Sequence, residues 1–239
     1  MNSRRTRKPA GKTPKTGQTV HAATGEGARL ARRERRRDLS REEILGAARR
    51  VLLHQGIAAT TLDAVARDAG LSKAALYYYF PSKDALLFEL VFGTLEDAAH
   101  RVGRSVDKTR RGGEALRAIV HETFTRFAPQ LDDFRLAFLH GQVAGQGAMH
   151  FDDQQFARIR PLNDLWFGGA AKRLAADQRQ RPSRARVEPR LMAFLAYTAS
   201  LGLLTMKGMV ESVKDPLLYS DEQLIEGLAR IFEAAAAAN

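Results

Sequence analysis

The chain has 239 residues, 44% of them hydrophobic, and a net charge of +11, enough to bury a sizeable core in one small domain plus one larger one. It contains no cysteine, which excludes disulfides, thiolate metal sites and cysteine nucleophiles and fits a reducing cytoplasm. The charge is unevenly placed: residues 1–38 carry twelve Lys or Arg against three acids, a net +9, while the other 201 residues hold only +2.

Residues 1–39 lack hydrophobic periodicity and are rich in Gly, Thr, Pro, Lys and Arg, which predicts a basic, largely disordered tail. No apolar stretch follows its basic residues, so a signal peptide is not expected. The run Arg32-Arg33-Glu34-Arg35-Arg36-Arg37 suits a phosphate-contacting arm and a solubilising tail equally well.

From Ser40 onward the signals are all helical, predicting an all-α fold of about nine helices. Ser40 and Glu43 are spaced as a capping box. Ile44, Ala47, Ala48, Val51 and Leu52 then form one apolar face, and Gly56 ends the helix. A short second helix starts near Thr60 or Thr61, buries Leu62, Val65 and Ala66, and stops at Ala69-Gly70-Leu71, where Gly70 is free to turn left-handed. Ser72 caps a third helix, with Leu71 and Leu76 spaced as a hydrophobic staple. Pro81 ends it, and Ser82 caps a long fourth helix running towards Asp107. Further helices are expected near 112–128, 130–145, 153–178, 188–213 and 220–237. Pro129, the glycine-rich stretch 141–147 and Arg181-Pro182-Ser183 punctuate them, and Pro161 should kink or split the third of these.

The second and third helices, joined by a tight glycine turn, have the form of a helix-turn-helix. A helix that enters a major groove about 12 Å wide needs small, polar residues at its N-terminus facing base edges. Ser72-Lys73-Ala74-Ala75 meets that need. Three tyrosines follow, about 100° apart around the helix. Tyr77, beside the buried Leu76, is expected to pack inward, leaving Tyr78 and Tyr79 to reach phosphates. Lys83, at the N-terminus of the fourth helix, also suits a phosphate.

The run from Thr60 to Leu86 resembles the DNA-binding signature of TetR/AcrR-type regulators: two threonines, Val65-Ala66, Ala69-Gly70-Leu71-Ser72, then Leu76-Tyr77-Tyr78-Tyr79-Phe80-Pro81-Ser82-Lys83-Asp84-Ala85-Leu86. The resemblance covers roughly residues 40–90 and extends more loosely to the whole helical layout. It implies a homodimer on a palindromic operator in double-stranded DNA, usually a repressor released by a small ligand. By position it assigns DNA contact to Thr61, Ser72, Lys73, Ala75, Tyr78, Tyr79 and Lys83. The chain departs at Ala74, where many members have glycine, and at Ala75, where a hydroxyl is frequent and a methyl suits a thymine methyl instead.

The expected organisation is a tail at 1–39, a DNA-binding domain at 40–100 and a ligand-binding and dimerisation domain at 101–239. The run Leu191–Met206 has 16 uncharged residues, short of the about 20 that a membrane span needs, and reads as a buried helix. Being apolar nearly all round, it needs cover on two sides. With the helix at 220–237, which opens on a Ser220/Gln223 capping box and buries Leu224, Ile225, Leu228, Ile231 and Phe232, it predicts a two-fold four-helix bundle between subunits. Nine of the twelve phenylalanines lie between Phe88 and Phe167. Phe92, Phe124, Phe127, Phe138, Trp166 and Tyr197 are the candidate lining for a small apolar or amphipathic effector, with plain core the competing reading. His121, His140 and His150 have no ligand spacing, so neither a metal nor a cofactor is expected. No catalytic motif is present, and an enzyme is not expected. The alternative to a regulator is a nucleoid-associated structural protein that binds DNA through its basic tail.

Overall fold

A computed structural model describes residues 40–56, 59–139, 152–180, 187–213 and 219–238. The basic tail, His140, His150, the glycine-rich stretch and Arg181-Pro182-Ser183 lie outside the described residues. Helix α1 spans 40–56 and ends at Gly56, whose φ of 74° is the left-handed cap that the sequence predicts. Helices α2 (Leu62–Asp68) and α3 (Lys73–Tyr79) follow, joined through Gly70 at φ 65°. Ile44, Ala47, Ala48 and Leu52 of α1, Leu62, Val65 and Ala66 of α2, and Leu76 and Phe80 form the core of this small bundle.

Helix α4 (Lys83–Asp107) runs without a break from this bundle into the larger body, passing through residue 100. Helix α5 (Gly112–Phe127) is the centre of that body. Around it pack α4, α8 (Gly169–Gln180), α9 (Pro189–Val213) and α10 (Asp221–Ala238). A 3-10 turn at Ala128–Gln130 leads into a single turn of α-helix, α6 (Leu131–Phe134), and then into a π-helical turn at Arg135–Leu139. The expected continuous helix from 130 therefore begins as three short pieces. Helix α7 (Asp153–Ile159) is separated from the π-helical turn Asp164–Gly168 and α8 at Pro161, the split expected there.

One expectation about the C-terminal helices is corrected, the burial of Ile231. Helix α9 buries Met192, Ala193, Ala196, Tyr197, Ser200 and Leu204, but leaves Leu191, Phe194, Leu195, Met206, Met209 and Val213 exposed, so among the described residues only one of its faces is covered, as expected of a helix that needs a second cover. By length and composition alone Pro189–Glu211 would cross a membrane, with mean hydropathy 1.3, yet its buried face packs on α5 and α8. On α10 Leu224, Ile225, Leu228 and Phe232 pack against the core, whereas Ile231 is 65% exposed. Three residues past Leu228 is about 60° around the helix, which carries Ile231 beyond the edge of the covered face.

The α5–α10 contact is tied by a charged fork. Arg117 Nε and Nη2 donate to Glu233 at 2.7 and 2.8 Å, and its Nη1 donates to Glu226 at 2.6 Å. Hydrogen bonds from Arg117 and then Arg230 push the Glu226 carboxyl down to about 2 from an ordinary value of 4.5. A carboxyl held below its unfolded value stabilises the fold above that value and loses its contribution as pH falls through the folded one. The difference in melting temperature between the wild type and Glu226→Gln is therefore expected to be full above pH 4.5 and to vanish by about pH 2. A difference that stays constant across that range, followed by circular dichroism, would remove the fork from the account.

Candidate DNA-binding surface and coupled interior

Three side-chain caps set the angles of α2, α3 and α4. Thr61 Oγ1 accepts from Ala64 N at 3.1 Å, Ser72 Oγ from Ala75 N at 3.2 Å and Ser82 Oγ from Ala85 N at 3.0 Å. Each satisfies an amide that a helix start leaves without a partner. Leu76 and Phe80, 0% and 1% exposed, anchor α3 from behind. Its other side presents Ser72, Lys73, Ala74, Tyr77 and Tyr78 outward, and Thr61 is exposed at the start of α2. Ala75 and Lys83 are half-buried, Lys83 as the first residue of α4.

The tyrosines fall differently from the expectation. Tyr77 is 43% and Tyr78 71% exposed, while Tyr79 is half-buried against the core. Tyr77 is one residue from Leu76 and so about 100° around the helix, whereas Tyr79 at i+3 lies beside the buried Leu76–Phe80 stripe. Position around the helix, not neighbourhood in sequence, decides which tyrosine is buried. Tyr78 meets Tyr79 edge-on at 5.4 Å between ring centroids.

Asp63, in the first turn of α2, was not singled out from the sequence. Its carboxylate accepts from Lys73 Nζ at 2.9 Å, and that ammonium also lies 5.7 Å from the Tyr77 ring centroid. The hydrogen bond to Asp63 and its charge hold the Lys73 ammonium above its ordinary pKa.

In the larger body, ring contacts bring together Phe127 and Phe138 (5.4 Å), Phe138 and Tyr197 (6.3 Å), and Tyr197 and Trp166 (5.3 Å). Phe134 and Phe167 join the same cluster. Burial pushes the Tyr197 hydroxyl well above its ordinary pKa, so it stays protonated. Phe124 is fully buried on α5. Phe92 stacks instead on Phe88, with the Arg158 guanidinium 4.1 Å from its centroid. Among the described residues, Trp166 Nε1 and Thr123 Oγ1 are buried without a hydrogen-bond partner. Thr123 gave no signal in the sequence, because nothing in its neighbourhood marks a hydroxyl as unsatisfied. Of the histidines considered, His121 is exposed on α5.

Two carboxylates join the small bundle to this body. Asp133, 2% exposed, pairs with Arg49 of α1 and accepts from Arg126 Nη1 of α5 at 3.2 Å. Arg126 Nε also donates to Asp97 of α4 at 2.7 Å. Burial alone would raise the Asp97 carboxyl, but hydrogen bonds from Arg126 and Arg101 hold it below its ordinary value. Glu89 of α4 pairs with Arg41 of α1 at 2.9 Å and with Arg158 of α7, whose Nη2 lies 3.1 Å away. Each carboxylate thus holds one arginine from α1 and one from the larger body.

Residues 44–90 match the family model for bacterial regulatory proteins of the tetR family. The HTH-type transcriptional regulator BetI of Agrobacterium fabrum is 34% identical over 102 residues, 42% of this chain and 50% of that protein. The chain thus spans about half the length of the curated relatives it matches. Among solved structures, the transcriptional regulator FadR of Bacillus subtilis in complex with stearoyl-CoA has a TM-score of 0.62 at 14% identity, over 81% of this chain and 97% of that one. AibR in complex with isovaleryl coenzyme A and operator DNA has a TM-score of 0.58 at 20% identity, over 80% and 97%. At these identities the likeness is one of fold: an all-helical chain with a helix-turn-helix at its N-terminal end.

Proposed function

We propose that this chain is a transcriptional regulator that binds a palindromic operator as a homodimer and is released by a small effector, a reading supported by the match of residues 44–90 to the family model for bacterial regulatory proteins of the tetR family. In this reading residues 40–100 bind DNA and 101–239 dimerise and sense the effector, in the cytoplasm and on nucleoid DNA. It is a binding protein rather than a catalyst. The observation that carries it is the capped α2–Gly70–α3 unit. Leu76 and Phe80 fix the recognition helix from behind while Ser72, Lys73 and Tyr78 face outward. Thr61, Ala75 and Lys83 complete the contact surface, with Tyr79 at its edge.

The exposed stripe Leu191, Phe194, Leu195, Met206 and Met209 on α9, with Ile231 on α10, supports a subunit contact through 188–213 and 220–237. Apolar surface of this extent on one face is stable in water when a second copy covers it. Palindromic sites are read by two recognition helices about one helical turn of DNA apart. The aromatic interior, with Trp166 Nε1 and Thr123 Oγ1 buried and unpaired among the described residues, supports an apolar effector that carries a hydrogen-bond acceptor. Two neighbours of the same fold were solved with acyl-coenzyme A molecules, and an acyl chain is apolar in that sense. An effector that wedges into the Phe134–Phe138 cluster displaces Asp133, and through Arg49 the orientation of α1.

Genomic fragments captured by the purified protein supply the test. With the side chains of Lys73 and Tyr78 both removed, affinity for a captured fragment is expected to fall at least tenfold, while sedimentation still reports a dimer; each base or phosphate contact is worth roughly 1–3 kcal/mol. Unchanged binding in a gel-shift assay would overturn the site.

A further inference from the structure

Asp63 places a carboxylate on the surface assigned to the polyanion. It is 54% exposed at the side chain, and Lys73, its partner, is 63% exposed. An ion pair that open contributes little to stability, so its effect must lie in what it does to Lys73. The ammonium has three N–H donors. One is taken by Asp63 at 2.9 Å, and the ammonium sits within 5.7 Å of the Tyr77 ring. These two contacts hold the end of an otherwise flexible chain at the N-terminus of α3. Arg67, whose Nε reaches the Asp63 carbonyl at 3.4 Å, lines the same cleft between α2 and α3 with Ala66 and Leu71. Among the described residues no other acid lines it.

We propose that Asp63 is a specificity-determining residue: it positions Lys73 to donate to base acceptors in the major groove and cancels the charge that would otherwise draw Lys73 to any phosphate. This rests on the DNA-binding reading above. Attraction to phosphate is sequence-independent and rises with each cation that is free to neutralise one. Guanine O6 and N7 are directional acceptors that reward a donor already in place. The paired lysine loses the first kind of affinity and keeps the second. Asp63 is a positioning residue, acting through Lys73.

The experiment compares wild type, Asp63→Asn, Lys73→Met and the double variant. The probes are a duplex selected by the wild type from a random pool and a mixed-sequence duplex of equal length, each titrated over a salt series. Asp63→Asn is expected to bind the mixed duplex several-fold more tightly and to lose roughly tenfold in the ratio of selected to mixed affinity. The slope of log affinity against log salt on the mixed duplex should steepen by about 0.9, the signature of one more neutralised phosphate. In the Lys73→Met background the same substitution should leave the slope unchanged. Melting temperature should not move, since the pair is open to solvent. An unchanged ratio and slope in Asp63→Asn, or an effect that persists without Lys73, overturns the proposal. A wild type that enriches no sequence from the pool overturns the DNA-binding reading itself, and is seen before any variant is measured.

Discussion

Asp133→Ala is expected to destabilise the protein by about 3 kcal/mol, because it leaves two arginines facing a carboxylate that is no longer there. The carboxylate is 2% exposed, and Arg126, one of its partners, has only 14% of its side chain exposed. Removing one member of a buried ionic group costs more than the group contributes as a whole, since the remaining charge stays desolvated. Arg49 is 38% exposed and recovers water, which places the cost at the lower end of the range for buried pairs. Arg126 keeps Asp97 at 2.7 Å, which limits the loss on that side too. For a chain of this size the shift in melting temperature is about 6–12 °C. Arg49→Met should cost less, and Arg49→Met combined with Asp133→Ala should cost less than the two singles added, because both remove one contact. If the effects simply add, α1 is not held through this carboxylate. Asp133 also directly precedes Phe134, whose ring meets Phe127 at 6.0 Å and Phe138 at 5.4 Å. On the proposed function, Asp133→Ala should therefore also weaken the effect of effector on operator affinity, while Glu226→Gln, at the far end of α5, should not.

What the sequence made legible follows the range over which each signal acts. Caps are local, and Thr61, Ser72, Ser82 and Ser220 all start helices as their spacing predicts, with Ser220 N donating to Gln223 at 3.0 Å and Gln223 N to Ser220 Oγ at 3.2 Å. Periodicity identified α5 and α9 nearly to the residue. The helix expected from 130 was less legible. Pro129 was visible, but the sequence carries no local pattern for the π-helical turns at Arg135–Leu139 and Asp164–Gly168. Tyr77 is exposed and Tyr79 packs on the core because angle around the helix, not adjacency to Leu76, decides which side chain is buried. The caps and the glycine turn of α2 and α3 were readable through their short-range spacing. Asp63, Glu89 and Asp133 were not, because each acts on a residue that is 10 or more positions away: Lys73, Arg41 and Arg158, Arg49. A lone acid in an amphipathic helix looks like solvated surface until its partner is placed.

Gly112 and Gly113 show the same limit in its sharpest form, and they give the second large prediction. They are adjacent, identical and both in the first turn of α5, so the sequence offers no means of telling them apart. A Cβ on Gly112 would lie 2.5 Å from Leu174 Cδ2, 2.8 Å from its Cγ and 2.9 Å from its Cα. Rotation of the leucine relieves the first two contacts but not the third, which is backbone of α8. The start of α5 must then back away from α8. That movement also lengthens the hydrogen bond from Gly112 N to Asp177 Oδ2, now 2.7 Å. Overpacking against backbone falls at the upper end of its usual cost, about 3 kcal/mol. A Cβ on Gly113 would instead sit 3.6 Å from Glu233 Cα, an ordinary contact. Gly113→Ala should be neutral or stabilising by up to about 1 kcal/mol, since alanine favours the helix over glycine. Thermal unfolding of the two variants should therefore move in opposite directions from the wild type. Equal shifts would mean that α5 and α8 do not meet at Gly112, and with that the seating of the central helix on which the interior cluster, the Arg117 fork and the Asp133 link all depend would have to be redrawn.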